Sequence, residues 1–179
     1  MANDRRSART KKTLKRVLLE RLKKKDIAKI TVSELAELAD IGRGTFYLHY
    51  QDPYDLLEKL EDELLEPIST YSLQTASYGD KDSLLAYLQH IWQYLYENKE
   101  TFQTLMNHRN RGGFMEKFKQ YALKCAGVNF QTPALDPAQQ YMITYLVSGS
   151  LGVFHQWMED DAPIPPDELA QIVRNLISG

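Results

Sequence analysis

Between about Ser7 and Lys25 the apolar residues Leu14, Val17, Leu18 and Leu22 recur at three- and four-residue steps, the period of one helix face. Lys11, Lys12, Lys15, Arg16, Lys23 and Lys24 fall on the other side. Thr31-Val32-Ser33-Glu34 reads as a capping box, with Thr31 as N-cap, opening a helix through Leu35, Ala36, Leu38 and Ala39. Gly42 is expected to take the left-handed conformation at the stop. Asp52-Pro53 opens a fourth helix carrying Leu56, Leu57, Leu60 and Leu64, with Pro67 expected at its end or at a kink. Helical spacing continues over Ser83–Asn98, Thr101–Met106, Gly113–Lys124 and 137–158, and Pro165-Pro166-Asp167 opens a last helix. No alternating run with hairpin chemistry interrupts the series. The predicted fold class is all-α.

The spacing within 32–50 is that of a helix-turn-helix. Two short helices, about 32–39 and 44–50, are joined by Asp40-Ile41-Gly42-Arg43, and the second is left exposed to lie in a DNA major groove. Ala36 is small, as a close crossing needs, while Ile41 and Phe46 are expected to plug the core. Arg43, Thr45, Tyr47 and His49 then remain outside, a set of donors, a methyl and an aromatic hydroxyl suited to base edges and phosphates. Tyr47 also reads as packing under the first helix, His49 as a helix cap, and Arg43 as a phosphate contact.

The stretch ITVSELAELADIGRGTFYLHYQDPYDLLEKL resembles the DNA-binding signature of the TetR family of bacterial transcriptional regulators. The G-T-F-Y-x-H-[FY] segment and the D-x-x-x-L-L that follows carry the match. The resemblance implies a three-helix DNA-binding domain over 1–52 and a helical ligand and dimerisation domain over 53–179. It also implies a homodimer whose last two helices form a four-helix bundle with the partner's. A looser match, G-x7-W-M followed by P-P-[DE]-E-[LM] within Gly149–Leu169, is similar to a Gram-positive subgroup. Carried over by position, Arg43 and Thr45 resemble base-reading residues, Ser33 a helix-two contact, and Thr31, Tyr47 and His49 phosphate anchors. Relatives often place lysines where Gln51 and Pro53 stand, so the basic arm (Arg5, Arg6, Arg9, Lys11, Lys12) is expected to grip more of the backbone. The implied function is a regulator, of repressor type, that binds a pseudo-palindromic double-stranded DNA operator and is released by a small-molecule effector. The alternative is a coactivator or regulatory subunit of this fold that acts through protein contacts with weak DNA binding.

Charge sharpens this picture. The 179 residues carry a formal charge of -2, but residues 1–50 hold 13 Lys/Arg and 6 Asp/Glu, +7, and residues 51–179 hold -9. Such asymmetry marks a nucleic-acid or membrane-surface arm. The apolar face of the first helix lacks aromatics, which disfavours the membrane surface. Residues 137–158 run 22 positions without a charge, yet Gln139, Gln140, Ser148, Ser150, His155 and Gln156 make them too polar to span lipid. A helix buried on several sides in protein is the expectation there. The lone Cys125 excludes an internal disulfide framework, and no signal peptide opens the chain. A cytoplasmic location follows. The sequence holds no nucleophile–base–orienter set, no phosphate loop and no metal spacing around His90 or His108, so no enzyme and no cofactor is expected. The loop His108-Arg109-Asn110-Arg111-Gly112-Gly113 reads as a surface turn or an anion site.

In the second half, Tyr87, Ile91, Trp92, Leu95, Phe102, Met106 and Phe118 suit an aromatic pocket for a lipophilic effector, though such a stripe also reads as plain core. Gly149 and Gly152 in a helix cost roughly 1 kcal/mol each relative to alanine, which suggests that another helix approaches closely. With Tyr145 and Val153 beside them, and Leu169, Ile172, Val173 and Leu176 from the last helix, they form the expected dimer interface. The glycines equally suit a neighbouring helix of the same chain.

Overall fold

The apolar stripe of the first helix is buried along its length, with Leu14 and Leu18 fully enclosed. The computed structural model describes residues 2–70, 81–107, 111–126 and 136–178, and every regular element among them is helical. In chain order these are α1 (Ala2–Leu22), a 3-10 turn (Ile27–Lys29), α2 (Val32–Leu38), α3 (Arg43–Tyr47), α4 (Pro53–Thr70), α5 (Lys81–Glu97), α6 (Lys99–Asn107), α7 (Arg111–Cys125), α8 (Pro137–Glu159) and α9 (Pro166–Ser178). The loop His108-Arg109-Asn110 lies outside the described residues.

The chain forms two compact units. The first is Met1–Leu64 with Thr104–Arg111, the second Leu65–Gln103 with Gly112–Gly179, so α4 and α6 contribute residues to both. In the first unit Leu14, Leu18, Ile27, Leu35, Phe46 and Leu56 are completely or almost completely buried. Lys15 on α1 pairs with Glu63 on α4. Pro67 does not end α4, which runs on through it to Thr70. The proline therefore falls in the helix's last turn, where it leaves the Glu63 carbonyl without its i+4 N–H.

The second unit has an aromatic core. Phe102 of α6 meets Phe154 of α8 edge-on at 5.5 Å and Phe118 of α7 at 5.7 Å, while Phe114 lies 5.9 Å away. Offset and edge-to-face pairs of this kind contribute about 0.5–1.5 kcal/mol each beyond their burial. α5 and α9 pack along one another, and Leu169, Ala170 and Val173 supply the buried face of α9. α8 begins with a reciprocal capping box: Gln139 N donates to Asp136 Oδ1 at 3.0 Å, and Asp136 N donates to Gln139 Oε1 at 3.1 Å. Within the chain α8 is not buried on several sides. It encloses Ile143, Phe154, Trp157 and Met158, whereas Tyr141, Met142, Tyr145, Gly149 and Gly152 are exposed. No helix of the described residues is long and apolar enough to cross a membrane.

Candidate nucleic-acid interface

Local backbone chemistry makes the turn between α2 and α3. Ile41 N donates to Ala36 O at 3.0 Å and Asp40 N to Glu37 O at 3.1 Å, the paired bonds of a Schellman stop. The left-handed residue of that stop is Asp40, with φ 52, and not Gly42. Aspartate tolerates this region better than most side chains. Gly42 instead has φ -70 and ψ 148 and is the N-cap of α3, which places Arg43 at the first helical position rather than in the turn. Phe46 is fully buried below.

Two polar clips hold the motif. Thr31 Oγ1 accepts from Glu34 N at 3.2 Å, one half of the expected capping box. The Glu34 carboxylate does not complete that box. It accepts from Arg21 Nε at 2.6 Å and Lys25 Nζ at 2.5 Å, fastening α2 to the end of α1. The Lys25 and Arg21 hydrogen bonds hold its carboxyl below the usual glutamate range against the opposing effect of burial. The second clip is Lys59 of α4, whose Nζ reaches the His49 carbonyl at 3.4 Å and Asp55 Oδ2 at 3.0 Å. The same ammonium lies 5.3 Å from the centre of the Tyr50 ring. Tyr50 is buried and its hydroxyl has no partner among the described residues. Burial first, then Glu63 and Asp55, push that hydroxyl's pKa up to about 12.

On this support Arg43 is exposed and has no acidic partner among the described residues. Ser33 and Thr31 are exposed as well, Thr45 and His49 are half-buried, and Tyr47 is 59% exposed although its ring meets Phe46 edge-on. Sequence reading passed over Leu48, which is 79% exposed in the same segment. The signal was present: two residues are about 200° on a helix, which sets Leu48 opposite the buried Phe46. The basic residues of the first unit divide. Lys15, Arg16, Arg21, Lys25 and Lys59 are engaged with carboxylates. Arg5, Arg6, Arg9, Lys11 and Lys12, in the N-terminal half of α1, have no ion-pair partner among the described residues and, like Arg43, stay available.

The second unit contains a cavity of about 110 Å³. Five of the residues expected at a pocket line it: Tyr87, Ile91, Trp92, Leu95 and Phe118. Phe102 and Met106 do not. Phe102 is fully enclosed in the aromatic core, and Met106 is buried in the part of α6 that belongs to the first unit. The residues expected at a dimer interface also divide. Tyr145 and Leu176 are largely exposed, and Gly149, Gly152 and Ile172 are exposed; Val153 is half-buried. Leu169 and Val173 are buried within the chain, because α9 turns that edge inward. A Cβ built on Gly149 or Gly152 meets nothing within 4 Å. No helix of the same chain therefore approaches these glycines among the described residues.

A short helix, α3, that buries Phe46 and exposes Arg43 and Tyr47 beside α2, with a second unit whose described elements are all helical, defines a helix-turn-helix regulator. The chain belongs to the TetR family: residues 82–179 match that family's transcriptional regulator C-terminal region. Regulators of this family bind DNA and typically form dimers. Among its relatives is YxbF of Bacillus subtilis (strain 168), an uncharacterized HTH-type transcriptional regulator. The two are 28% identical over 173 residues, which is 92% of this chain and 44% of that protein, so the chain spans under half the relative's length. Among solved structures, NalD, the secondary repressor of the MexAB-OprM multidrug efflux pump in Pseudomonas aeruginosa, superposes with a TM-score of 0.69. It is 17% identical, covering 96% of this chain and 94% of that one. A TetR transcriptional regulator from Streptococcus agalactiae 2603V gives 0.66 at 20% identity, covering 99% and 98%.

Proposed function

We propose that this chain is a homodimeric transcriptional repressor that reads a pseudo-palindromic operator through α3, acts in the cytoplasm, and is released by a small-molecule effector. The observation that carries the reading is Arg43: exposed, without an acidic partner among the described residues, and standing at the head of α3, in a motif where Glu34 fastens α2 and Lys59 holds the His49 carbonyl just past α3. An arginine so placed suits bidentate recognition of a guanine edge in the major groove. Ser33, Thr45 and Leu48 supply further base contacts in this reading, and Thr31, Tyr47 and His49 phosphate contacts. The unpaired basic half of α1 supplies the sequence-independent grip.

Two protomers place two α3 helices in successive major grooves, roughly 34–36 Å apart. The open face of α8, with Tyr141 and Tyr145 preceding two glycines whose space is empty among the described residues, supports a second copy as its partner. The cavity supports an effector. Because α4 carries residues of both units, it is the route by which an occupied cavity biases α3 between two states. The repressor role is also that of NalD, by its description.

The test is binding of the purified chain to the DNA upstream of its own gene. Two protomers per duplex and an affinity that falls steeply with salt are expected. Salt-insensitive binding would sink the electrostatic grip. Retention of that DNA only in the presence of a second protein would establish the coactivator reading instead.

A further inference from the structure

We propose that the cavity of the second unit takes a small uncharged molecule bearing one hydrogen-bond acceptor, recognised by the indole N–H of Trp92. The proposal deepens the effector reading above and rests on it. Trp92 lines the cavity and is itself 2% exposed. Its Nε1 is buried and has no acceptor among the described residues. The neighbouring Trp157, whose ring stands perpendicular at 5.8 Å, gives its own N–H to the Ile164 carbonyl at 3.1 Å. The fold thus satisfies one buried indole and leaves its neighbour unsatisfied. Buried donors are nearly always paired in native proteins, so an unpaired N–H on a residue that lines a cavity is a place for a ligand's acceptor once the ring gives way to it.

The rest of the lining sets the chemical class. Leu88, Ile91, Leu95, Phe118 and Phe154 wall the space, and among the described residues no Lys, Arg, Asp, Glu or His contributes to it. An ionised ligand would shed its hydration there and find no counter-charge. Tyr87, Ser150 and Cys125 complete the polar lining, and burial holds the Cys125 thiol protonated and thus uncharged. A volume of about 110 Å³ suits one five- or six-membered ring, since an apolar cavity of about 150 Å³ takes benzene. A cyclic ketone fits these terms: ring against the aliphatic and aromatic walls, carbonyl oxygen on Nε1.

The test uses an isosteric pair on the full chain, cyclohexanone and methylenecyclohexane, which differ by C=O against C=CH2. The sequence holds two tryptophans, so a nitrogen–proton correlation spectrum carries two indole signals, and Trp92→Phe assigns them by removing one. Cyclohexanone should bind about tenfold more tightly than its isostere and shift the Trp92 indole proton downfield. Trp92→Phe should bring the ratio close to one while leaving methylenecyclohexane binding within about twofold. Equal affinities in the native chain would overturn the proposal, as would tighter binding of cyclohexanecarboxylate or a shift confined to Trp157. Where that variant does not fold, Trp157→Phe assigns the two signals in its place, and the native chain's own indole shift then decides between these outcomes. The expected ratio without any change in DNA affinity upholds the ligand chemistry and removes only the effector reading. DNA release by a compound that leaves the Trp92 signal unmoved does the reverse.

Discussion

Replacing Gly44 with alanine should raise stability and lower DNA affinity together. Gly44 is the second residue of α3, its φ is not in the left-handed range, and a Cβ built on it meets nothing within 4 Å. Inside the chain the glycine is thus needed neither for backbone freedom nor for clearance. Alanine in a helix is favoured over glycine by about 0.5–1 kcal/mol, which in a chain of this size raises Tm by about 1–4 °C. The empty space lies next to the exposed Arg43, where the proposed duplex approaches. If a base edge or sugar fills it, the added methyl overpacks a close contact, at a cost of about 1–3 kcal/mol, or about 5–150-fold in Kd. Gly113→Ala is the matched control: that glycine is also exposed, helical and open around its Cβ, but lies far along the sequence from α3. It should melt higher and bind DNA as the native chain does. Thermal unfolding and fluorescence anisotropy on the upstream DNA measure the two quantities. A Gly44→Ala chain that melts lower refutes the conformational reasoning. One that melts higher and binds DNA unchanged refutes the close approach of the duplex to α3.

Arg43→Ala should cost roughly 1–3 kcal/mol of DNA binding and relax specificity at one base pair; a uniform loss across sequences would assign Arg43 to a phosphate. Gly149→Trp should shift the chain toward monomers in sedimentation, and an unchanged dimer would remove the α8 face from the interface. Tyr50→Phe deletes a buried hydroxyl that has no partner and should stabilise the chain by about 1 kcal/mol in denaturant titration. Tyr50 has its folded pKa raised to about 12. The unfolded tyrosine therefore loses its proton first, and stability falls as pH climbs above about 10. The phenylalanine variant should show less of that alkaline loss, and an identical alkaline profile would refute it. Glu34 runs the other way. Its folded pKa is lowered, so its contribution is present above the usual glutamate range and is lost as pH falls through the folded value. Glu34→Gln should be less stable near neutrality and show a shallower acid limb; an unaltered limb would show that the clip to Arg21 and Lys25 contributes nothing measurable.

Much of the interface was legible because helical periodicity and cap chemistry act over three or four residues. Leu14, Val17, Leu18 and Leu22 announced their burial, and Thr31 its cap, without knowledge of anything distant. The misreadings share one cause. Glu34 completes a capping box by local rules, but Arg21 and Lys25, 13 and 9 residues away, capture its carboxylate. Gly42 is the better left-handed residue by intrinsic preference, yet the Schellman bonds to Ala36 and Glu37 fix the site at Asp40. Charge counting gave residues 1–50 a net +7, whereas ion pairing takes up Lys15, Arg16, Arg21 and Lys25 and leaves Arg5, Arg6, Arg9, Lys11 and Lys12 without a carboxylate partner among the described residues.

Family, helical class and the helix-turn-helix were thus written in short-range pattern, since periodicity, caps and turn residues are properties of neighbours along the chain. Which aromatic residues line a cavity and which fill the core was not, because Trp92 and Phe102 have the same local signature. Nor could pattern separate Leu169 and Val173, turned inward on α9, from Ile172 and Leu176, left outside. That division depends on which face α9 presents to α5. Packing between elements distant in sequence settles it, because burial and the pairing of a buried donor are decided by what lies across the gap rather than by what comes next in the chain.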